Sequence, residues 1–290
     1  MRPFTPALAV AVAATCAGCM AGPKYIRPPV EEPAAFKSPT PAGDKAPVPE
    51  EWWRLYQDAD LDSLIATANA SNQTLRQAVA RVDQARALAR VAASFRYPTI
   101  TATPTYTRER TSATRVSTIT GQPVSAGATF NDWLVPVDLS YEVDVWGRVR
   151  RSLQAARAQA AASTDDEAVV RLGVQTDVAQ FYYTLRLLDA QSEILTQTVA
   201  SYREQVRLLT VQVTTGLAST IVLNQAQAQL QATLAQQSDA ARARDDEEHA
   251  LAILCGQPAP SFSVVPNPLL EGAPPTVPPG LPAAVLLKRP

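Results

Sequence analysis

Two runs of carboxylates, residues 165–167 and 245–248, are the side chains of this sequence best suited to acid–base chemistry. A pair of carboxylates held in a cleft can act as general acid and general base. Neighbouring residues on a helix point in different directions, however, and Arg242 and Arg244 are close enough in sequence to pair with the second run. We therefore interpret both runs as solvated helical faces. No catalytic residue is predicted, and the protein is not expected to be an enzyme.

Metal binding and nucleic-acid binding are poorly supported by the composition. Among 290 residues there are three cysteines and one histidine, His249, and their spacing matches no zinc motif. We therefore predict no metal site and no cofactor. The 26 Lys and Arg residues are balanced by 27 Asp and Glu residues, for a net charge of -1. Because the chain has no net positive charge to attract phosphate groups, no nucleic-acid partner is expected.

One cysteine, Cys19, does suggest chemistry, namely the covalent attachment of lipid. A positive charge and an apolar run over residues 7–14 form a secretory signal that is too short to span a bilayer. Small residues followed by Cys19 are typical of the site at which bacterial lipoproteins are cut and acylated. We expect residues 1–18 to be a lipoprotein signal peptide, with Cys16 as a poorer acceptor and an ordinary cleaved signal as the alternative. Proline-rich residues 19–50 would follow as a lipidated tether.

The prolines delimit the helical parts of the chain. None of the 24 prolines lies in residues 51–97 or 137–257, and a proline inside a helix costs about 3 kcal/mol. Both stretches are rich in Ala, Gln, Arg and Leu, which favour helix. We predict N-terminal helices over 51–97, a long helical hairpin over 148–257 and a proline-rich segment over 258–290.

Residues 98–147 carry the alternating pattern of two β-strands. Threonine occupies every odd position from 99 to 107, and residues 133–145 alternate apolar with polar side chains. Residues 111–128, rich in Ser, Thr and Gly, would form an extracellular loop between transmembrane β-barrel strands. A half-buried soluble hairpin is the alternative, but two strands alone do not form a stable sheet. The polar face of the second run carries the carboxylates Asp138, Glu142 and Asp144.

A coiled-coil stripe runs along the first helix of the predicted hairpin. Apolar residues recur there at alternating steps of three and four, interrupted only at Ser192. An unbroken helix from Arg148 to Thr215 would be about 100 Å long at 1.5 Å per residue. The stripe consists of Val178, Phe181, Leu185, Leu188, Leu195, Val199, Tyr202, Val206, Leu209 and Val213.

A turn over residues 214–220 is predicted to reverse the chain. Gly216 can adopt the left-handed conformation that ends a helix, and Ser219 or Thr220 can cap the next one. The returning helix, residues 221–254, would pack closely through a small-residue face. That face comprises Ala226, Ala228, Ala232, Ala235, Ala240 and Ala243, and the stop signals are Gly256 and Pro258. The predicted fold class is therefore mainly α with a β hairpin, combining a coiled-coil helical hairpin with two transmembrane strands.

Five motifs spread along the chain from Cys19 onward match one known family. They are the residues 22–25 after Cys19, the Trp52-Trp53 pair, the stretch from Ser140 to Arg148, the Gly216-Leu217-Ala218-Ser219 turn, and the stretch from Leu251 to Gly256. Together they resemble the TolC-like outer membrane factors, in particular the NodT-type lipoproteins that serve resistance-nodulation-division efflux pumps.

The resemblance implies a function and a set of partners. Members of this family are trimers in which each protomer gives four strands to an outer-membrane barrel and several helices to a periplasmic tunnel. The chain would then be a lipid-anchored channel subunit of the bacterial outer membrane, a passive exit duct for drugs or other solutes. Its partners would be an inner-membrane efflux pump and a periplasmic adaptor, which contacts the turn at Gly216, Leu217, Ala218 and Ser219.

The same resemblance sets an expectation about length. Residues 281–290 resemble the opening of the family's second structural repeat, so this sequence would hold one repeat with two strands. Three copies would supply six strands, and six copies would supply the twelve that close a barrel. Two other functions stay open, a periplasmic coiled-coil adaptor or scaffold lipoprotein without a pore, and a non-functional truncated remnant.

Overall fold

The computed structural model describes residues 20–23, 25–26, 49–112, 122, 127–268 and 275. Helix predominates, which confirms the mainly α class. The helices are α1 (Ala59–Ser71), α2 (Gln73–Ser94), α3 (Arg148–Thr214) and α4 (Thr220–Leu254), with short 3₁₀ turns at Trp52–Tyr56 and Ala259–Ser261. The strands are β1 (Thr99–Ala102), β2 (Thr105–Arg110), β3 (Thr129–Leu134) and β4 (Val137–Ser140). None of the helices described is both long and apolar enough to cross a bilayer.

The chain divides into two compact units. The strand unit comprises Met1–Ile26 and Gln84–Ala160, and the helical unit comprises Arg27–Asp83 and Ala161–Pro290.

In the strand unit, the four strands form a single antiparallel hairpin. Strand β1 pairs with β4 and β2 with β3 in the same continuous register, which runs from Thr99 opposite Ser140 to Arg110 opposite Thr129. The ladder is interrupted at Pro104 and Pro136, because proline has no N–H to donate. The Thr103 N–H still donates to the Pro136 carbonyl at 3.3 Å, so the register is kept across the interruption.

The second predicted strand ends earlier than its alternating pattern suggests. Strand β4 stops at Ser140, and residues 141–146 have no strand structure. Two of the predicted strand carboxylates serve helix α3 instead. Asp144 accepts hydrogen bonds from the backbone N–H groups of Val149 (3.2 Å) and Arg150 (3.0 Å), which lie in the first turn of that helix. Glu142 accepts from the Arg148 Nε at 2.9 Å. The prediction of strand over residues 141–145 was therefore wrong, because helix capping outweighed alternation.

In the helical unit, the core forms where α1 meets the middle of α3 and the end of α4. It includes Leu61, Ile65, Val178, Leu185 and Leu251, all fully buried. Asp58 begins α1 by accepting from the N–H groups of Asp60 and Leu61, at 3.0 and 3.2 Å.

The predicted coiled-coil stripe of α3 is confirmed by burial. Val178, Leu185 and Val199 are buried and the other stripe residues are partly buried. On α4 the small-residue face is only partly confirmed. Ala226 and Ala240 are buried, together with Thr233 midway between them, whereas the alanines at 228, 232 and 235 are exposed. The contact surface follows a strict seven-residue step, as expected for helices packed side by side.

The carboxylate run at 245–248 is not uniformly solvated, which corrects one prediction. Asp246 does form an exposed pair with Arg242 at 3.3 Å. Glu248, however, is largely buried, and its two oxygens accept from the Arg244 guanidinium and from the Val264 N–H, at 2.7 and 2.6 Å. The segment after α4 folds back over this part of the helix and removes Glu248 from solvent.

Candidate functional site: helical turn and exposed strand faces

The predicted reversal between α3 and α4 has the geometry of a glycine-terminated helix. Gly216 has a φ of 76°, which is the left-handed conformation. The N–H of Gly216 donates to the Val213 carbonyl (3.1 Å) and the N–H of Leu217 donates to the Gln212 carbonyl (2.8 Å). These two bonds define a Schellman motif, so the end of α3 is fixed by its own backbone.

The following helix begins at the residue that the sequence indicated. Ser219 has extended backbone angles, and its hydroxyl oxygen accepts from the Ile221 N–H at 3.2 Å. Thr220, the alternative cap, is instead the first residue of α4. Five residues, 215–219, therefore make the whole connection, and their conformation is set locally.

The surface of this turn is unusually apolar for an exposed loop. Leu217 is 81% exposed and Ile221 is 66% exposed, and Val211 and Val222 on the adjoining helix ends are also exposed. Leucine and isoleucine gain about 25 cal/mol for each Å² that they remove from water. An apolar cluster at a rigid turn is therefore a surface that gains energy by docking on another protein.

The strand hairpin has one apolar and one polar face, and both are exposed. On the apolar face Ile100 lies opposite Leu139, Ala102 opposite Val137 and Tyr106 opposite Trp133. Trp133 is 74% exposed, and its ring lies 4.5 Å from that of Tyr106. The opposite face carries the threonines of β1 and β2 with Asp132 and Asp138. Nothing covers the apolar face of this hairpin within the described part of the chain, and a single two-stranded hairpin is marginally stable in water. The hairpin therefore needs an apolar environment or further strands.

Helix α3 also presents a second apolar stripe, which is exposed in the described part of the chain. Leu187, Ile194 and Leu208 lie at multiples of seven residues and are all exposed, in contrast to the buried stripe beside them. A second seam of this kind is typical of a helix with neighbours on two sides.

Comparison with known proteins identifies the architecture. Residues 64–257 match the family model described as outer membrane efflux protein. This chain belongs to the outer membrane efflux protein family. The chain is similar to the probable outer membrane lipoprotein SilC of Salmonella typhimurium, with 28% identity, covering 94% of this chain and 58% of SilC. It is equally similar, at 28% identity, to the toluene efflux pump outer membrane protein TtgF of Pseudomonas putida, covering 98% of this chain and 60% of TtgF.

The fold is likewise that of solved outer-membrane channels. The structure resembles the outer-membrane channel OprN with a TM-score of 0.79 at 23% identity, covering 93% of this chain and 60% of OprN. The chain spans about three fifths of the length of these relatives. As a member of this family it is an outer-membrane protein whose helical portion is periplasmic.

The predicted lipid-attachment residue, Cys19, lies outside the described residues, as do Cys16 and most of the predicted tether. The residues directly after Cys19 are described and are held firmly. The Ala21 N–H donates to the Trp146 carbonyl at 3.1 Å, and the Arg151 guanidinium donates to the carbonyls of Ala21 (3.1 Å) and Gly22 (2.6 Å). Lipid attachment at Cys19 stays a prediction.

Sequence reasoning missed a buried ionic network in this outer membrane efflux protein. Arg186 is 1% exposed, and its guanidinium donates to the Asp60 carboxylate (2.9 Å), to Asp189 (3.3 Å) and to the Val265 carbonyl (2.6 Å). Arg244 donates to Asp189 at 2.7 Å. The spacing of Arg186 and Asp189, three residues apart on α3, was the available signal.

The network keeps its arginines charged although burial opposes charge. Burial by itself lowers the pKa of Arg186, but hydrogen bonds and charge interactions with Tyr182 and Asp189 outweigh it, so the pKa lies above its ordinary value. The Tyr182 hydroxyl in turn donates to Asp58 at 2.6 Å, and burial and this bond raise the pKa of Tyr182. The network therefore joins the start of α1, the middle of α3 and the end of α4.

Cys255 is expected to be unreactive in the folded protein. The thiol is fully buried, it donates to the Leu64 carbonyl at 3.8 Å, and burial raises the pKa of Cys255 to about 11. Because the thiolate is the nucleophile, maleimide at pH 8 should not modify it. Comparing the wild type with Cys255→Ala should show equal labelling when folded, and one additional label per wild-type chain in denaturant. Faster labelling of the folded wild type would contradict this burial.

Proposed function

We propose that this chain forms part of the wall of an outer-membrane exit duct in a tripartite efflux pump. Its strand hairpin lies in the outer membrane, and its helical hairpin extends into the periplasm and docks on an adaptor through the turn at 216–219. The single observation that carries this proposal is a strand hairpin with a fully exposed apolar face in a chain of this family.

The dimensions of the apolar face suit a lipid bilayer. From Thr99 to Arg110 strands β1 and β2 advance about 37 Å at 3.4 Å per residue, which is about 28 Å along the bilayer normal at the usual strand tilt of about 40°. Outer-membrane barrels carry an apolar band about 25 Å tall, bordered by aromatic residues. The Tyr106–Trp133 pair supplies one border, and the exposed Tyr97 and Tyr141 supply the other. The threonine face is polar enough to line a water-filled duct.

A single hairpin cannot close a barrel, so the duct requires additional strands. Unpaired backbone groups in lipid cost several kcal/mol each. The additional strands would come from other copies of the chain or from a second structural repeat. The exposed stripe of Leu187, Ile194 and Leu208 on α3 provides the helix surface through which such neighbours would pack. The subunit is passive, and drugs or other solutes would pass between the assembled chains.

The membrane position of Trp133 can be tested by fluorescence. Lipids with brominated chains quench a tryptophan that lies among them. Compared with the wild-type protein in such bilayers, the Trp133→Phe variant is expected to lose a large part of the quenched emission, and the exposed Trp146 accounts for the remainder. Trp53, buried in the helical unit, provides the matched control, and Trp53→Phe should leave the quenching unchanged. Equal effects of the two substitutions would show that the apolar strand face is not in lipid.

Docking through the turn can be tested by cross-linking in cells. A photoreactive amino acid at Leu217 is expected to cross-link the chain to a periplasmic adaptor, because this side chain is exposed on a rigid turn. The same probe at Arg203, an exposed residue about three turns before the end of α3, is the control and should give no adaptor product. Cross-links from position 217 to other copies of this chain alone would contradict the docking proposal.

A scaffold lipoprotein without a pore is the second candidate, but the strand hairpin argues against it. A periplasmic scaffold would leave the Ile100, Trp133 and Leu139 side chains in water. Each would then forgo the favourable free energy of moving an apolar group out of water. A protein that stays monodisperse without detergent after removal of its lipid would favour the scaffold.

A further inference from the structure

The strand unit contains a small basic cavity that the duct function does not use. Its volume is about 170 Å³, room for several water molecules or one phosphate group. Most of its polar lining consists of guanidinium groups from the turn after α2 and from the first turns of α3. The lining residues are Met20, Arg96, Arg150, Leu153, Gln154 and Arg157.

The polar groups of this cavity offer donors and little acceptor capacity. Arg96 and Arg157 have no side-chain partner within the described ranges, and both are exposed. Arg150 donates to the Asp144 carboxylate (3.3 Å) and to the Asp144 carbonyl (3.1 Å), so its charge is matched and only its remaining guanidinium N–H groups can donate to a ligand. The Gln154 side-chain oxygen accepts from Arg151 at 3.0 Å, which leaves the amide NH₂ of Gln154 to donate. Such a set of donors recognises an anion, and planar guanidinium groups are well matched to phosphate.

A neighbouring cavity of about 160 Å³ shares Arg96 and Arg150 and adds aromatic walls from Phe95 and Tyr141. Two carboxylates also line it, Glu142 and Asp144. Glu142 is paired with Arg148, and Asp144 is paired with Arg150. Both negative charges are therefore matched within the protein, and Arg96 and Arg157 remain in excess.

The surroundings of the basic cavity favour a lipid as the source of the anion. Four exposed aromatic residues lie within ten positions of a residue that lines the cavity, namely Phe95, Tyr97, Tyr141 and Trp146. In membrane proteins, aromatic side chains of this kind mark the level of the lipid headgroups. Met20, which lines the cavity, is the residue directly after the predicted lipid-attachment residue Cys19.

We propose that Arg96, Arg150, Gln154 and Arg157 bind the phosphate group of an anionic phospholipid in the periplasmic leaflet of the outer membrane. The inference rests on the proposed placement of the strand hairpin in that membrane. Inorganic phosphate offers the same oxygens, but it lacks the acyl chains that the exposed aromatic residues would contact. The bound lipid would fasten the base of the strand hairpin at the membrane surface.

Native mass spectrometry of the full chain in detergent tests this site. Phosphatidylglycerol, phosphatidylethanolamine and inorganic phosphate are titrated separately. We expect saturable binding of phosphatidylglycerol at one molecule per chain, weaker binding of the zwitterionic lipid and still weaker binding of inorganic phosphate. Equal or tighter binding of inorganic phosphate would overturn the assignment to a lipid, and no saturable binding of phosphatidylglycerol would overturn the site.

Charge-removing variants locate the binding. Arg157→Gln should weaken phosphatidylglycerol binding about tenfold, since a hydrogen bond to a charged group contributes at least that factor. The double variant Arg96→Gln, Arg157→Gln should abolish saturable binding. Arg108→Gln removes the same charge from the far end of β2 and should change the affinity less than twofold. Equal losses for Arg108→Gln and Arg157→Gln would show only general attraction to an anionic surface and would overturn the site.

These outcomes are independent of the adaptor experiment. Glutamine favours helix, and Arg157 is an exposed residue of α3, so the variant should fold. Lipid binding by purified protein needs neither the pump nor the turn at Leu217. Failure of the Leu217 cross-link with intact lipid binding would overturn docking alone, whereas loss of lipid binding with an intact cross-link would overturn this site alone.

Discussion

Replacing Asp189 with alanine should lower the free energy of unfolding by about 3–5 kcal/mol, because it removes one partner from a buried ionic network. The Asp189 carboxylate accepts from Arg186 (3.3 Å), from Arg244 (2.7 Å) and from the Asn267 N–H (3.0 Å). Its side chain is only 2% exposed. Without it, Arg186 retains only the more exposed Asp60 as a charged partner, and an incompletely compensated charge stays buried.

The matched control is Asp246→Ala on the same protein. Asp246 also pairs with an arginine, Arg242, at 3.3 Å, but both side chains are more than 60% exposed. Exposed pairs of this kind contribute about 0–1 kcal/mol. Urea unfolding of the detergent-solubilised protein, followed by the helical circular dichroism signal, measures both variants. A difference between them of less than about 1 kcal/mol would show that the buried network does not hold the helical unit together.

Proteolysis gives a second measure of the same network. Asp189 and Glu248 accept from the N–H groups of Asn267 and Val264, and Arg186 donates to the Val265 carbonyl. The segment around Val264 is therefore held to α3 and α4 by charged groups. Asp189→Ala should expose it, and cleavage near this segment should become faster than in the wild type or in Asp246→Ala.

Gly256→Ala is expected to be the second strongly destabilising substitution, with a loss of about 2–5 kcal/mol. Gly256 ends helix α4 with a φ of 63°, and a non-glycine residue in the left-handed region costs about 1–2 kcal/mol. An added Cβ would also overlap the Ser71 carbonyl oxygen and lie 3.0 Å from the Ser71 carbonyl carbon. Because backbone atoms at the end of α1 cannot move aside easily, overpacking adds about 1–3 kcal/mol.

Two other glycines separate the contributions to this loss. Gly216 has a similar φ of 76° but open space around its Cα, so Gly216→Ala should show the backbone cost alone. Gly173 lies inside α3 with open space, and Gly173→Ala should stabilise the protein by about 0.5–1 kcal/mol. Thermal unfolding should therefore rank the three variants in the order 173, 216, 256, from most to least stable. If Gly256→Ala is no worse than Gly216→Ala, the close approach of Ser71 does not contribute.

The elements of this fold follow from local signals in the sequence. Proline-free stretches predicted the helices because proline is excluded from helix interiors. The observed helix α3, Arg148–Thr214, ends within one residue of its predicted end. Gly216 and Ser219 predicted the turn because the left-handed φ and the side-chain cap depend on neighbouring residues alone. The apolar strand face was predicted from alternation, which requires no partner to be known.

The errors and omissions share one physical cause. Residues 141–145 continue an alternating pattern, yet Asp144 caps helix α3. Alternation alone cannot show that a residue is more stable as a helix cap than as part of a strand. Glu248 was predicted to be solvated because the segment that covers it, around Val264, follows 16 residues later. Asn72 shows the same limit at longer range. Its side chain caps α2 through Leu75 and also donates to the Leu254 carbonyl, 182 residues away.

Sequence alone therefore established the helices, the turn, the strand faces and the family, since each depends on local conformational preference or on motifs. Tertiary structure decided which charges are buried. Arg186, for example, is covered and hydrogen-bonded by segments that are distant from it in sequence. Asp60 lies 126 residues before it and Val265 lies 79 residues after it. The cost of burying a charge is met only when such partners are assembled around it, and that assembly exists only in the folded chain.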